Sequence, residues 1–324
     1  MAVPQSGTSS ASSSPRLQPV KDDDLHGIES GYASAASSAE SLPIISLSKA
    51  HLDHLNGQLE HMHPMDILRF VKIMFPNLYQ TTAFGLTGLV TLDMLAKIQT
   101  ESPWSRPVPV VFLDTLYHFA ETYDLVGRVR ARYPATTIHT FKPDGVESAE
   151  DFEALYGEKV WDVASEMYDW AAKVEPLQRA YDELKIVAVL TGRRRSQGGA
   201  RDHMPVIELD EERGVVKINP LATWSFAQVQ GYVRRYQVPY NALLDRGYKS
   251  VGDWHSTVPV AEGEDERSGR WKGQQKSECG IHNKKSRYAR FLEEEDRSAQ
   301  EEKLAAASAA LELVNQEAQM VSVA

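Results

Sequence analysis

VPVVFLDTLYHFAETYDLVGRVRARYPATTIHTFK, residues 108–142, decides the fold. VPVVFLD (108–114) is an apolar run of strand length, HFAETYDLVGRVRARY (118–133) has the apolar spacing of a helix, and TIHTFK (137–142) is again a strand. The alternation recurs downstream, where a long helical stretch ending near Tyr181 leads into the apolar strand KIVAVLTG (185–192). Repeated alternation of this kind predicts an α/β fold with a doubly wound, mostly parallel sheet. Ligands of such sheets bind beyond the carboxyl ends of the strands, so the residues that follow each strand carry the functional reading.

Three such places stand out. TTAFGLTGLVTLDML (81–95) is a loop of small residues opening into a helix. Thr81, Thr82, Ala83, Gly85, Thr87 and Gly88 leave backbone N–H groups accessible beside a positively polarised helix start, where a phosphate or sulfate can sit. The stretch is neither a Walker A loop nor a dinucleotide fingerprint, and a turn packed for structural reasons remains an open reading. Asp114-Thr115 ends the strand 108–114. After KIVAVL come Arg193, Arg194, Arg195 and Arg201 with Ser196 and Gln197 between them. A solvated face would account for three consecutive arginines, but guanidinium forks at a strand end suit bidentate binding of phosphate or sulfate.

Further along, VIELD (206–210) and VVKIN (215–219) read as a hairpin, followed by a capped helix, SFAQVQGYVRRY (225–236). Upstream, Leu52, Leu55 and Leu59, then Ile67, Val71 and Met74, predict two helices broken near His63-Pro64. The chain divides into a disordered Ser-rich tail (1–45), N-terminal helices (46–75), a nucleotide-binding α/β domain (76–255), a mobile basic segment (256–290) and a C-terminal helix (291–324). Leu304, Leu311, Val314, Ala318 and Val321 share one face of that helix.

Bulk composition narrows the class. In 324 residues, 42% are hydrophobic and 25% charged, as in a globular protein with polar extensions. No stretch has the length of a membrane span. The N-terminus lacks a signal-peptide core, and its first twenty residues, with one arginine and no amphipathic pattern, read against organelle import. A formal charge of −10 argues against general nucleic-acid binding. His51, His54, His61 and His63 find no carboxylate or cysteine at a recognised ligand spacing, so no metal site is expected.

One cysteine, Cys279, excludes any internal disulfide and any four-cysteine zinc or iron–sulfur site within the chain, which fits a reducing, cytoplasmic setting. It lies in SECGIH (277–282), inside a basic island with eight Lys/Arg between Arg267 and Arg290 against the single acid Glu278. Cations and His282 nearby would stabilise its thiolate, and with no second cysteine any covalent adduct must be cleared by an outside thiol. The residues therefore point to a polyanionic nucleotide and a nucleophilic thiol. An ATP-using nucleotidyltransferase or pyrophosphatase of the same fold, and a non-catalytic nucleotide- or RNA-binding module, remain open beside this reading.

These motifs together, with KPDG (142–145), KVEPLQRAY (173–181), KINPLATW (217–224), VPYNALLDRGYKSVGDWHST (238–257), EGEDERSGRWKG (262–273) and ECGIH, closely resemble the assimilatory phosphoadenylyl-sulfate (PAPS) reductases of the fungal, thioredoxin-dependent type, from about Leu52 to about Phe291. The resemblance implies an adenine-nucleotide α-hydrolase-like (PP-loop) fold with a flexible C-terminal catalytic segment. It implies reduction of PAPS to sulfite and adenosine 3′,5′-bisphosphate by reduced thioredoxin, with Cys279 as nucleophile and a homodimer as the assembly. By the same resemblance the substrate meets Thr81, Thr82, Ala83, Phe84, Gly85, Leu86 and Gly88, then Asp114, Thr115, Lys173, Arg193, Arg194, Ser196, Gln197 and Arg201, and finally Arg267, Arg270, Trp271, Lys272 and His282. Relatives that act on adenylyl sulfate through an iron–sulfur cluster carry paired cysteines where this chain has Lys173-Val174 and Asp253-Trp254-His255. No cluster, no other bound cofactor and no nucleic-acid or membrane partner is therefore expected.

Overall fold

The computed structural model describes residues 47–211, 213–272, 278, 280–281, 286–295, 297–298 and 300–303. The Ser-rich tail, Cys279, His282 and the apolar face drawn through Leu304 to Val321 lie outside the described residues.

Two helices open the described chain, α1 (Lys49–Leu59) and α2 (Pro64–Met74). Ser48 caps α1 by accepting from His51 N, and His63 caps α2 with Pro64 at its first position, so the expected break falls at His63-Pro64. Strand β1 (Leu78–Thr81) leads into α3 (Leu86–Glu101), then β2 (Val110–Leu113), α4 (Ala120–Arg132) and β3 (Ile138–Phe141). The expected long helical stretch is instead a series: α5 (Ala149–Tyr156), α6 (Val160–Val163), α7 (Ser165–Asp169), a π-helical turn (Trp170–Val174) and α8 (Glu175–Glu183). Gly157 at φ +97° and Lys159 at φ +50° end α5 and divide the run. Strand β4 (Ala188–Leu190), the hairpin β5 (Ile207–Asp210) and β6 (Val215–Ile218), and α9 (Phe226–Tyr236) follow.

The six strands lie in the order β3-β2-β1-β4-β6-β5. All pairs are parallel except β5–β6, whose antiparallel register pairs Ile207 with Ile218. This is the doubly wound, mostly parallel sheet that the alternation predicts. The central strands β2 and β4 are buried on both faces, which is why they read as unbroken apolar runs. Leu78, Val110, Phe112, Ala188 and Leu190 face one core with α3 and α9, while Tyr79, Val111 and Val189 face a second with Leu177 and Tyr181 of α8. The chain runs outward from β1 through β2 and β3, then returns to β4 on the other side of β1. The strand order reverses there, opening a crevice above the carboxyl ends of β1 and β4.

Beyond α9, residues 256–272 close on themselves through an antiparallel bridge between Thr257 and Arg270 and the bond from Val258 N to Gly269 O (2.9 Å). A helix begins at residue 287, four residues before the expected boundary, and Glu166 accepts from the N–H groups of Arg287 (2.8 Å) and Tyr288 (3.4 Å) at its start. Among the described residues no helix is long and apolar enough to cross a membrane.

Candidate functional site

A cleft of about 300 Å³ lies over the switch between β1 and β4. One wall is the loop that β1 feeds into α3, with Thr81, Thr82, Ala83, Phe84, Gly85, Leu86 and Gly88 all on its lining. Thr82 Oγ1 accepts from Phe84 N (2.9 Å), which holds Phe84 at φ +56°. Gly85 begins α3 without a side-chain cap, so the first N–H groups of a 16-residue helix have no side chain to satisfy them. That arrangement favours a bound anion. Backbone approaches are close here: a Cβ at Gly88 would meet Thr82 Oγ1 at 2.2 Å, and one at Gly192 would meet Gly88 N at 3.3 Å. Gly88 therefore lets Thr82 fold back onto the start of α3, and Gly192 lets the loop after β4 approach that start closely.

The facing wall holds the arginines, each with a carboxylate partner. Arg193 pairs with Glu208, and Arg195 with Glu60 of the α1 end, 2.5 Å from Nη1. Arg194 is only 2% exposed; its Nε donates to Thr87 Oγ1 (2.8 Å) and its Nη2 to both oxygens of Glu266 (2.8 and 2.7 Å). Arg201 donates from Nε and Nη2 to Glu278 (3.0 and 2.7 Å), and Arg267 joins the same carboxylate at 3.2 Å. Arg193, Arg194, Gln197, Arg201, Arg267 and Glu278 all line the cleft. Arg194 is thus a core arginine that reaches the cleft, not a member of a solvated face.

The residues after Arg267 reach the same place. Glu278 and Ile281 line the cleft; Arg213 Nη2 donates to Ile281 O (3.3 Å), and the Ile281 side chain packs against the Leu177–Tyr181 core. Cys279 and His282 themselves lie outside the described residues.

Other expected substrate contacts sit elsewhere. Ser196 is exposed and is held between Arg194 Nη1 (2.6 Å) and Trp224 O (3.0 Å). Asp114 shapes the turn after β2, accepting from Leu116 N (3.0 Å) and the Tyr123 hydroxyl (2.7 Å). Thr115 and Lys173 belong to a buried cluster centred on Asp253. Thr115 Oγ1 and the Tyr168 hydroxyl donate to Asp253 (2.7 and 3.0 Å), Lys173 Nζ pairs with it at 3.0 Å, and His118 and His255 lie 3.8 Å away. Arg270 packs over Trp271 (4.5 Å to the ring centroid) and against Gly252, where a Cβ would meet its Nη2 at 2.1 Å. Trp271 is buried at φ +51°, and Lys272 is exposed. None of these seven side chains lines the cleft.

Burial opposes ionisation of Asp253, which is 3% exposed, but Lys173, His118, Thr115 and His255 together hold its carboxyl well below the usual carboxylate range. Burial and the same carboxylate push the Tyr168 phenol well above its ordinary value. Rings shield the cluster: Trp161 stacks on His255 at 4.4 Å, and Tyr117 and Tyr168 meet His255 edge-on. Sequence reasoning missed Asp253, Asp169 and the carboxylates that pair with the arginines; Glu278, the single acid of the basic island, was the one visible signal. Among the described residues no group of His, Cys, Asp and Glu is arranged to hold a metal ion.

Comparisons with known proteins cover the elements that build this cleft. Residues 77–259 match the phosphoadenosine phosphosulfate reductase domain. The chain is 58% identical over 279 residues to the phosphoadenosine phosphosulfate reductase of Emericella nidulans, covering 86% of this chain and 90% of that one. It is 51% identical over 255 residues to the Saccharomyces cerevisiae enzyme of the same name, covering 78% and 96%. The crystal structure of phosphoadenylyl-sulfate (PAPS) reductase from Candida auris, a phosphate complex, is similar at TM-score 0.61 and 54% identity over 67% of this chain and 100% of that one. The matched stretch spans β1 to the Asp253 cluster and so contains the loop after β1 and the arginines 193–201 of the sheet-end cleft: the chain belongs to the phosphoadenosine phosphosulfate reductase family.

Proposed function

We propose that this chain reduces 3′-phosphoadenylyl sulfate to sulfite and adenosine 3′,5′-bisphosphate in assimilatory sulfate reduction, as a cytoplasmic homodimer that draws electrons from reduced thioredoxin. The observation that carries the reading is the meeting of Glu278 and Ile281 with the arginine wall and the α3 N-terminus in one cleft. The lone thiol of the chain belongs, by sequence, between residues that reach this anion-binding surface.

The nucleotide's negative groups are taken by the uncapped α3 start and by the guanidinium groups of Arg201 and Arg267, which exchange Glu278 for the ligand. The Cys279 thiolate attacks the sulfuryl sulfur. The bond from that sulfur to the bridging oxygen breaks, adenosine 3′,5′-bisphosphate leaves with the electron pair, and Cys279 carries an S-sulfonate. Cations beside the leaving phosphate stabilise the charge that develops there. A thioredoxin thiolate then attacks the Cys279 sulfur and releases sulfite. Its second thiol resolves the mixed disulfide, so the dithiol supplies both electrons and Cys279 returns as a thiol. The single cysteine leaves no ligand set for a four-cysteine cluster within one chain, which supports a reaction without iron–sulfur chemistry.

Sulfite release from 3′-phosphoadenylyl sulfate and reduced thioredoxin tests the reading. The wild-type chain makes sulfite; Cys279→Ser makes none while still binding adenosine 3′,5′-bisphosphate. Sulfite production by the serine variant contradicts it.

A further inference from the structure

A chain of buried charge runs from the end of β2 to the segment that carries Cys279. Thr115 donates to Asp253, Asp253 pairs with Lys173 at 3.0 Å, and Lys173 pairs with Asp169 at 3.2 Å. Asp169 closes the chain by meeting the backbone of Gly280. A Cβ at position 280 would lie 2.2 Å from Asp169 Oδ2 and 2.5 Å from its Cγ, and Gly280 holds φ +72°. A side chain there is excluded both by contact and by backbone conformation. Asp169 has little freedom to move aside, because it is buried and its cation is held from behind by Asp253. Lys173 lies in the π-helical turn Trp170–Val174, a local widening of the kind that frequently marks functional positions.

None of Thr115, Asp253, Lys173 and Asp169 lines the nucleotide cleft. Their common endpoint is the glycine that follows Cys279. We propose that Asp169, backed by Lys173 and Asp253, is a positioning residue: it seats Gly280 and so sets where the preceding cysteine is presented, without touching the nucleotide. The contact of Glu278 with Arg201 and Arg267 holds the other side of the segment, but that carboxylate is 43% exposed and shares its cations with the ligand. The Asp169 seat uses no side chain that lines the cleft.

The seat is a statement about residues 169 and 280; only the expected loss of turnover rests on the reductase reading. The test uses the full chain with Asp169→Ala, Gly280→Ala and the double variant. Three readouts are taken: the rate at which N-ethylmaleimide labels the single thiol, the affinity for adenosine 3′,5′-bisphosphate, and the kcat for sulfite release. Gly280→Ala keeps the nucleotide affinity and KM of the wild type, labels several-fold faster, and loses roughly 10- to 100-fold in kcat, the scale of a misplaced reacting group. Asp169→Ala moves all readouts in the same direction. The double variant loses less than the product of the two single losses, since the clashing carboxylate is gone and only the backbone cost at φ +72° and the contact with the residue 169 Cβ remain, whereas unrelated defects would multiply. Wild-type labelling and kcat in Gly280→Ala overturn the seat, as does a double variant in which the losses multiply. A wild-type chain that makes no sulfite sinks the reductase reading instead, and the labelling rates still decide the seat.

Discussion

The cleft over β1 and β4 and the cluster around Asp253 both bring cations and carboxylates together, yet they are built for opposite ends. In the cleft, Arg201 and Arg267 share one half-exposed carboxylate, so a polyanion can take its place. In the cluster, Asp253 has Lys173, Thr115 and Tyr168 at hydrogen-bond distance within a wall of aromatic rings. Exchangeable pairing serves ligand binding; enclosed pairing serves geometry. The arginine-rich wall is the more conspicuous in sequence, but breaking the enclosed cluster costs more stability than breaking the half-exposed Glu278 pairing, because a buried charge that loses its partner has no water to turn to.

The largest effect expected from this contrast is on stability. Asp253→Ala leaves Lys173 with Asp169 in an apolar setting and costs about 3–5 kcal/mol in urea denaturation, whereas Arg201→Ala, at a partly exposed pair, costs under about 1 kcal/mol. Equal losses in the two variants would erase the distinction. Next in size is substrate discrimination. Adenylyl sulfate lacks the 3′-phosphate, and losing a charge-assisted contact worth about 1.5–3 kcal/mol lowers kcat/KM by roughly 10- to 100-fold relative to 3′-phosphoadenylyl sulfate. Equal kcat/KM values would remove the anion-binding role from the arginine wall.

The smallest effect is a pH slope. Asp253 has its folded pKa depressed below the ordinary carboxylate value, so its contribution to stability is complete above the unfolded value of about 4. It is lost progressively as pH falls below that value toward the folded pKa. Stability of the wild type therefore falls more steeply than that of Asp253→Asn as pH drops from 5 to about 2. Parallel acid limbs would show that the carboxylate is not held in its charged form by the cluster.

How much of this was legible in the sequence follows the same division. β2 and β4 were readable because strands buried on both faces are apolar throughout, and the edge strand β3, IHTF, because it follows the helical pattern of α4 at strand length. The central strand β1 was not, since LYQT offers only two apolar residues and contains Gln80, which is fully buried and donates to Gly88 O (2.7 Å). The loop 81–88 and the arginines 193–201 were legible as strand-end features. Their carboxylate partners were not, because Glu60, Glu208 and Glu266 are surface-type residues until the fold carries them inward. Asp114 and Thr115 were read as ligand contacts from the general rule for strand ends, yet local turn bonds and Asp253 claim them; Asp253 lies 138 positions from Thr115 and 85 from Tyr168. A cluster assembled from such distant positions has no spacing for a sequence to display.

The most direct test of the central claim is the intact mass of the chain after incubation with 3′-phosphoadenylyl sulfate in the absence of thioredoxin. With one cysteine and no internal partner to resolve an adduct, the reaction stops after a single turnover. The account predicts a chain heavier by one sulfonate group, with the added mass on the peptide containing Glu278-Cys279-Gly280, and its loss as sulfite when reduced thioredoxin is added. A chain of unchanged mass, or an adduct on any other residue, contradicts it.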